Sequence, residues 1–390
     1  MNTIAHEVAR RLRKVLGTAP DKIPLHEPLF LGREKEYLCE CVDTGWVSSA
    51  GKFVDRFEAG LAGFTGARRA VAVVNGTCAL HLALRLAGAQ PGDEVLVPAL
   101  TFVATANAVA HLNAVPHFVD SEELTLGMDP EKLAGHLGAV TEMRGHQCFN
   151  RQTGRRLAAI VPTHTFGHPA RLSELLEVAG RYGLPVVEDA AESLGSFYKG
   201  VHTGLWGSIG VLSFNGNKTV TTGGGGAILC QDEQMADLAK HLSTTAKKPH
   251  RWAFEHDQIA FNYRMPNLNA ALGCAQLEQL PRFLERKRAL AAAYAEAFAG
   301  LDEVRFVLEP PGARSNYWLC ALALSPALEN SLADVLETTN AAGLMTRPAW
   351  NLLSTLPMYA HCPRAGLGTA ASLARRLVNL PSGPALVPAA

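Results

Sequence analysis

Residues 209–230 read IGVLSFNGNKTVTTGGGGAILC, in which two apolar runs flank a lysine and four consecutive glycines. The two runs, 209–214 and 226–230, are short and apolar, which is typical of buried strands. Lys218 lies between them, and the glycines permit backbone paths that other residues rarely adopt. Lysine forms Schiff bases with aldehydes when its amine is desolvated or lies near a positive charge. The segment therefore predicts either a nucleophilic lysine beside a ligand or a solvated lysine in a glycine-rich loop.

Five further apolar runs precede this pair and alternate with helical stretches. They are AVAVV at 70–74, EVLVPAL at 94–100, AVPHFVD at 114–120, LAAIVPTH at 157–164 and LPVVEDA at 184–190. Between the first two runs, apolar residues recur at helical spacing from Leu80 to Ala87, which predicts an amphipathic helix. The alternation indicates an α/β domain of three layers, with helices on both faces of a mainly parallel seven-stranded sheet.

The remaining segments follow other patterns. The polar stretch 138–156 has no clear period and predicts a loop or an insertion before the next strand. After residue 265 a long Ala/Leu-rich helical tract precedes a strand-like run at 317–324, which predicts a smaller α+β domain. The predicted division is an N-terminal helical segment at 1–25, a large domain at 26–260 and a small C-terminal domain at 261–390.

The composition excludes several classes of protein. The 390 residues are 48% hydrophobic, with 36 basic and 36 acidic side chains, so no net field favours nucleic acid or an anionic membrane. No signal peptide and no run of about 18 apolar residues is present, and a cytoplasmic protein is expected. The eight cysteines show neither CxxC pairs nor zinc spacing, so we expect reduced thiols and no metal.

Unusual polar or aromatic residues follow several predicted strands, at the edge where open α/β sheets bind ligands. They are Thr77, Phe102, His164, Asp189, Ser213 and Lys218. Asn75-Gly76-Thr77 joins a strand to a helix, where it either binds phosphate or simply caps the helix. Asp189 follows an apolar run, so its carboxylate either caps a helix or pairs with a cation such as a pyridinium nitrogen.

The chain resembles the DegT/DnrJ/EryC1/StrS family of sugar aminotransferases over nearly its whole length. Eight motifs carry the resemblance in order: GWVSSAGKFVDRFE at 45–58, VVNGTCALHLAL at 73–84, VPALTFVATANAV at 97–109, PTHTFGHPARLSEL at 162–175, VVEDAAESLGS at 186–196, LSFNGNKTVTTGGGG at 212–226, FNYRMPNLNAALG at 261–273 and VNLPSG at 378–383. The resemblance implies a fold-type-I transferase that depends on pyridoxal 5′-phosphate (PLP).

The resemblance also implies roles for the residues at matching positions. Lys218 is expected to form the Schiff base with PLP, Asp189 to pair with the pyridine nitrogen and Phe102 to stack on the ring. The remaining cofactor contacts are expected to be Gly76, Thr77 and Ser213 at the phosphate, Asn262 from the second subunit of a homodimer, and Glu192 near the ring oxygen. Many relatives carry glutamine at the position of Glu192.

Substrate contacts are expected from residues outside this set. Arg264 is a candidate clamp for an anionic group. The stretch 343–359 resembles members that aminate C4 of UDP- or GDP-sugars, particularly in the legionaminic-acid pathway. Within it, Arg347 is expected to pair with the diphosphate and Trp350 to stack on a base or sugar, unless both pack at a domain junction. Further candidates are Trp46, Lys52 and His164.

The implied reaction transfers the amino group of glutamate to a nucleotide-linked 4-keto-6-deoxy sugar and releases 2-oxoglutarate. The product would be a 4-amino sugar for a surface glycan such as lipopolysaccharide. Alternatives are a 3-keto-sugar aminotransferase, a PLP-dependent sugar dehydratase and a PLP-binding regulator without activity. Dehydratases of this kind carry histidine in place of the Schiff-base lysine, so Lys218 favours amino transfer.

Overall fold

The computed structural model describes residues 3–17 and 22–386, so residues 1, 2, 18–21 and 387–390 of the predicted terminal segments lie outside it. The helices are α1 (Thr3–Leu16), α2 (Glu34–Asp43), α3 (Lys52–Thr65), α4 (Gly76–Leu86), α5 (Ala104–His111), α6 (Pro130–Val140), α7 (Leu172–Arg181), α8 (Glu233–Ser243), α9 (Asn267–Phe298), α10 (Leu332–Ala341) and α11 (Gly368–Ala374). The strands are β1 (Arg69–Val73), β2 (Glu94–Pro98), β3 (Val115–Val119), β4 (Thr141–Arg144), β5 (Gln147–Asn150), β6 (Leu157–Ile160), β7 (Val187–Asp189), β8 (Phe197–Tyr198), β9 (Val201–His202), β10 (Ile209–Ser213), β11 (Gly226–Cys230), β12 (Val304–Phe306), β13 (Ala313–Arg314), β14 (Cys320–Leu324), β15 (Arg347–Pro348) and β16 (Leu377–Leu380).

The seven strands predicted between residues 70 and 230 are all present, but they form two sheets. One has the order β1-β11-β10-β7 and the other the order β3-β2-β6. Strand β11 is antiparallel to both neighbours, whereas the β7–β10, β2–β3 and β2–β6 pairs are parallel. Isolated parallel bridges join β6 to β7 across the seam between the sheets. Pro162 and Pro185 lie at this seam, and their missing N–H groups prevent a regular ladder.

Helices cover both faces of the four-stranded sheet, because successive side chains of a strand point to opposite faces. Val71 and Val73 of β1 belong to the apolar cluster that includes α4. Ala70 and Ala72, from the same strand, belong to the cluster formed by α3 and the first half of α9. Helix α4 begins at Gly76, as the apolar spacing predicted, and Asn75 caps it. These layers place the N-terminus of α4 at the carboxyl end of β1.

The C-terminal part contains a separate sheet, with the order β12-β14-β16-β15 and antiparallel pairing. Helix α1 packs against it together with α10 and the second half of α9, in one apolar cluster. Helix α9, 32 residues long, thus contributes to the cores of both parts of the chain. Neither α9 nor any other helix of residues 3–17 and 22–386 is long and apolar enough to span a membrane.

Of the two alternatives for 138–156, the structure has an insertion before β6 and not a loop, because β4 and β5 pair there as a hairpin. Gly145 has a φ of 62° at the two-residue turn, a conformation that favours glycine. The hairpin is anchored by the buried carboxylate of Glu94, which accepts hydrogen bonds from Asn150 Nδ2 at 2.9 Å and Thr153 Oγ1 at 2.6 Å. This anchor lies 56 residues away in sequence, so local polarity did not indicate the hairpin.

Replacing Glu94 by glutamine tests the anchor. Burial acts to raise the pKa of the Glu94 carboxyl, but hydrogen bonds from His117, Thr153 and Asn150 outweigh it and lower the pKa. We expect Glu94→Gln to reduce the free energy of unfolding by about 2 kcal/mol at neutral pH, as for lost bonds to a charged group. A lowered pKa stabilises the fold above the ordinary value of about 4.3 and ceases to do so as the pH falls below it.

Denaturant unfolding from neutral to acid pH checks this expectation for both proteins. The advantage of the wild type over Glu94→Gln should be constant above about pH 5 and shrink below about pH 4. A difference between the two proteins that grows on acidification would contradict it.

Candidate active site

A cavity of about 330 Å³ opens at the carboxyl ends of the central strands. Its walls come from the segments that follow β1, β2, β6, β7, β10 and β15, together with the segment before β14. The predicted site residues that line it are Gly76, Thr77, Phe102, Asp189, Glu192, Ser213, Lys218 and Trp350. Residues from seven separate segments of the sequence therefore face one space.

One end of the cavity is formed by the N-terminus of α4. The Asn75 side chain accepts a hydrogen bond from the Cys78 N–H at 2.8 Å, and this cap fixes the first turn. A Cβ on Gly76 would lie 2.9 Å from the Cβ of Ser213, so the two backbones are too close for a larger residue. Backbone N–H groups and the Ser213 and Thr77 hydroxyls at a helix N-terminus suit an anion such as phosphate.

Asp189 lies in the floor of the cavity, and no cationic side chain of residues 3–17 and 22–386 forms an ion pair with it. Its Oδ2 accepts from the Thr105 hydroxyl at 2.8 Å and its Oδ1 from the Ala191 N–H at 3.3 Å. Burial raises the pKa of Asp189, and the Thr105 and Ala191 hydrogen bonds and the Lys218 charge oppose this only in part. A protonated ring nitrogen bound here would provide the missing positive charge and keep the carboxylate ionised.

The Lys218 amine lies between an acidic and an aromatic side chain. Its Nζ is 3.4 Å from Glu192 Oε1 and 3.7 Å from the centre of a ring of Trp318. Glu192 Oε2 also accepts from the Phe166 N–H at 2.9 Å. Burial raises the pKa of Glu192 to about 7, against the opposing charge of Lys218. The Glu192 carboxyl can therefore take up or release a proton near neutral pH.

The cavity fits PLP on these observations. Phe102 is 53% exposed although it is a large apolar residue, so its ring is free to stack on a flat ligand. The helix N-terminus suits the phosphate, Asp189 suits the ring nitrogen and Lys218 suits the aldehyde. Each group of the cofactor thus has a partner among the residues that line the cavity.

His164 was predicted as a substrate contact, but its side chain is fully buried outside the cavity. Its Nε2 lies 3.0 Å from Glu188 Oε2, and its Nδ1 accepts from the Ala170 N–H at 3.1 Å. Both ring nitrogens are therefore engaged within the fold. This placement corrects the sequence-based expectation, since a histidine at a strand end can face the protein interior.

The structure also places Arg347 away from the cavity and Trp350 in its wall. Arg347 Nη1 donates to Asn340 Oδ1 at 3.0 Å and to the Thr346 carbonyl at 2.8 Å, beside a separate surface cleft. Trp350 packs on Phe166, with ring centres 5.0 Å apart. Three positions apart in sequence, the two candidates thus have different surroundings.

Trp46 and Lys52 line a second cavity, of about 460 Å³. Asn267 fixes this loop, because its Nδ2 donates to the Trp46 carbonyl at 2.7 Å and its Oδ1 accepts from the Phe53 N–H at 3.0 Å. Lys52 forms an ion pair with Glu40. Within one chain, the early loop and the Lys218 cavity are therefore separate features.

Asn262 and Arg264 lie on a segment that runs beside the end of β1. The Tyr263 carbonyl accepts from the Val74 N–H at 2.9 Å, and Arg264 forms a bridge with Val73. Asn262 is exposed, and Arg264 Nε is buried without a hydrogen-bond partner in the described part of the chain. Neither residue lines the cavity of its own chain.

Sequence reasoning missed Thr105 and Trp318. Thr105 lies on α5 and reaches Asp189 from the preceding loop-helix unit, which no sequence pattern indicates. Trp318 was included in a strand-like run, although it precedes β14 and lines the cavity. An aromatic residue with a polar N–H immediately before a strand was the available signal.

The chain is similar to known aminotransferases over most of its length. Residues 31–390 match the model of the DegT/DnrJ/EryC1/StrS aminotransferase family. EpsN of Bacillus subtilis is 38% identical over 87% of this chain and 84% of that protein. The GDP-perosamine synthase of Escherichia coli O157:H7 is 37% identical over 93% and 94%. The crystal structure of the aminotransferase TlmJ from Streptoalloteichus hindustanus superposes with a TM-score of 0.83, at 28% identity and 94% coverage of both chains.

The fold is that of a fold-type-I PLP-dependent transferase. The chain belongs to the DegT/DnrJ/EryC1/StrS aminotransferase family, and it is a PLP-dependent aminotransferase. The non-enzymatic alternative is thereby removed.

The raised pKa of Glu192 predicts a pH-dependent stability in the cofactor-free protein. The folded state, with a pKa of about 7, keeps a proton that the unfolded chain loses near pH 4.3. Stability therefore falls as the pH rises through this window, by roughly 3 kcal/mol, and Glu192→Gln should lack this decline. Denaturant unfolding of both proteins at pH 5, 6, 7 and 8 checks the prediction, which a constant difference between them would contradict.

Proposed function

We propose that this enzyme transfers an amino group from glutamate to C4 of a UDP- or GDP-linked 4-keto-6-deoxy sugar, in the cytoplasm, for a surface glycan. The observation that carries the proposal is the Lys218 amine beside Glu192 in a cavity at the strand ends. The similarity to a GDP-perosamine synthase over 93% of the chain supports a nucleotide-sugar substrate. The stretch 343–359 supports amination at C4 by its resemblance.

When bound, PLP supplies an electron sink for a carbanion at the donor carbon. Asp189 holds the positive charge on the ring nitrogen, and Phe102 covers one face of the ring. Gly76, Thr77 and Ser213 bind the phosphate and so fix the orientation of the reacting groups. The positions of the five residues around one cavity support these proposed roles.

Lys218 moves the proton in both halves of the reaction. Its side chain is 13% exposed, so bulk water has little access to the amine. With PLP bound, the amine would take a proton from the α-carbon of glutamate and return it to the cofactor carbon on the other side of the amino nitrogen. One water would then release 2-oxoglutarate, and the nitrogen would stay on the cofactor for the keto sugar. The same transfer runs in reverse when the keto sugar enters. Glu192, with a pKa of about 7, lies close enough to hold a proton beside the amine.

A lysine at this position favours transfer over dehydration, because the amine can accept and return the same proton. A dehydratase would release water from the sugar and would not convert glutamate. The 3-keto-sugar alternative differs only in which carbon of the sugar receives the amino group.

The donor and acceptor are tested by incubating the holoenzyme with glutamate and a panel of UDP-, GDP- and dTDP-linked 3-keto and 4-keto sugars. We expect stoichiometric release of 2-oxoglutarate and an amine at C4 of a UDP- or GDP-sugar, identified by mass spectrometry and NMR. Amination only at C3, or loss of water from the sugar without 2-oxoglutarate release, would reject the proposal.

The role of Lys218 is tested by Lys218→Ala. We expect transamination to fall by ~100-fold or more, as for loss of a general acid–base group, and the absorbance of lysine-bound cofactor to disappear. Lys199→Ala is the control, since this exposed lysine donates to Ser173 outside the cavity. Normal turnover in Lys218→Ala would remove the proposed mechanism.

We also propose that the enzyme is a homodimer in which Asn262 reaches the phosphate of the partner's cofactor. Asn262 is exposed and lies outside its own cavity, although its segment runs beside the strand that leads to Gly76. Such a residue contributes to catalysis if a second subunit brings another cavity next to it.

Mixed dimers test this arrangement. Lys218→Ala and Asn262→Ala homodimers should both be weakly active. A one-to-one mixture after subunit exchange should regain about a quarter of the wild-type activity, because half of the dimers contain one intact site. The absence of any gain, with exchange verified by mass spectrometry, would show that both residues serve the same subunit's site.

A further inference from the structure

Trp318 is held by three hydrogen bonds, one made by its indole and two by its backbone. Its Nε1 donates to the Asn217 carbonyl at 2.7 Å, next to Lys218. Its backbone N–H donates to Asn316 Oδ1 at 2.8 Å, and its carbonyl accepts from Lys287 Nζ at 3.2 Å. Because every polar group of Trp318 has a partner, the ring is confined to one position, 3.7 Å from Lys218 Nζ.

Asn316 connects the segment that contains Trp318 to the loop that contains Glu192. The residue is fully buried, and its Nδ2 donates to the carbonyls of Glu192 and Leu194, each at 2.9 Å. Its Oδ1 accepts from Trp318 on the other side. An amide has donors at one end and an acceptor at the other. One side chain therefore links the two groups that flank Lys218.

The chain around Asn316 is shaped to admit this side chain. A Cβ on Gly167 would lie 1.9 Å from Asn316 Oδ1, and the φ of 96° at Gly167 also favours glycine. Tyr317 adopts a φ of 48°, which is uncommon for a bulky residue. Ser196 Oγ accepts from the Asn316 N–H at 2.9 Å and donates to the Gly167 carbonyl at 2.7 Å. Local strain is thus maintained by a closed set of hydrogen bonds.

Lys287 binds the backbone carbonyl of Trp318. Its side chain is buried, and the amine contacts His26 Nε2 at 3.0 Å and the carbonyls of Trp318 and Ser382. The amine can donate up to three hydrogen bonds, and three acceptors surround it here. The position of Trp318 is consequently tied to the N-terminal segment, α9 and the C-terminal segment.

We propose that Asn316 is a positioning residue for amino transfer, which holds Trp318 and the Glu192 loop at fixed distances on either side of Lys218. The inference rests on the role of Lys218 proposed above. Without the amide, the two walls lose their shared anchor, and displacement of a reacting group by about 1 Å is sufficient for a ~100-fold loss of rate.

The test compares Asn316→Ala with Asn150→Ala in the holoenzyme. For Asn316→Ala we expect kcat of the glutamate half-reaction to fall ~10- to 100-fold while KM changes less than about threefold. The visible circular dichroism of the bound cofactor should also weaken, because the asymmetric walls around it are released.

Asn150 is a matched control because it is equally buried and bonded at both ends, to Glu94 and Gln152, away from the cavity. Asn150→Ala should lower the thermal midpoint but retain wild-type kcat and dichroism. The proposal is overturned if Asn316→Ala and Asn150→Ala have the same kcat and the same dichroism. Since dichroism needs no substrate, it remains informative if glutamate is not the donor.

A second pair of variants decides the matter if Asn316→Ala fails to fold. Trp318→Phe keeps an aromatic face beside Lys218, whereas Trp318→Leu removes it. We expect the kcat of Trp318→Leu to be at least ~10-fold lower than that of Trp318→Phe. Equal kcat in the two variants would overturn the proposal, because the position of the ring would then have no effect on the amine.

Discussion

The geometry of the cavity depends on Glu188, a fully buried carboxylate at the seam between the two sheets. Its Oε2 contacts His164 Nε2 and accepts from the Gly204 N–H, and its Oε1 accepts from the N–H groups of Trp206 and Gly207. Burial opposes ionisation, but the bonds from His164 and the backbone outweigh it and lower the pKa of Glu188. These bonds fix β7 against the loop after β6 at a place where regular sheet pairing stops.

The next residue, Asp189, shows the opposite electrostatic balance. Successive side chains of a strand point to opposite faces, so Glu188 faces the interior while Asp189 faces the cavity. Asp189 has only two hydrogen-bond donors, and its pKa is raised rather than lowered. Two adjacent buried carboxylates are thus separated into one that stabilises the fold and one whose charge requires a bound cation. At the seam, Glu188 thus makes the site rigid, and Asp189 provides a carboxylate that a bound cation can pair with.

The sequence predicted most of this edge because it depends on short-range patterns. Apolar runs located all seven central strands, and polar residues at their ends identified Asp189, Ser213 and Lys218 as neighbours. It could not predict contacts made between distant segments. Glu94 converts a polar stretch into a hairpin, and Thr105 reaches Asp189 across 84 residues. His164 was misassigned for the same reason, since its partner Glu188 belongs to another strand.

The division of the seven strands into two sheets also has a local cause that became clear only in three dimensions. Prolines at 162 and 185 are compatible with parallel strands in sequence, but each lacks an N–H at the seam, where only their carbonyls bond across it, to the Asp189 and Ile160 N–H groups. Hydrogen bonds still cross the seam as far as Asp189, and the cavity lies beyond the carboxyl ends of the strands on both sides of it, which is where open α/β sheets bind ligands.

The surroundings of Lys218 are complementary to a particular stage of the proposed reaction. An indole face and a nearby carboxylate both stabilise a positive charge on the amine. The amine acquires that charge when it has taken the proton from the donor carbon, so the walls bind Lys218 better after proton transfer than before it. Interactions of this kind accelerate a step, whereas equal binding of both states would not. A solvated lysine in a glycine-rich loop, the alternative left open by the sequence, would gain no such advantage.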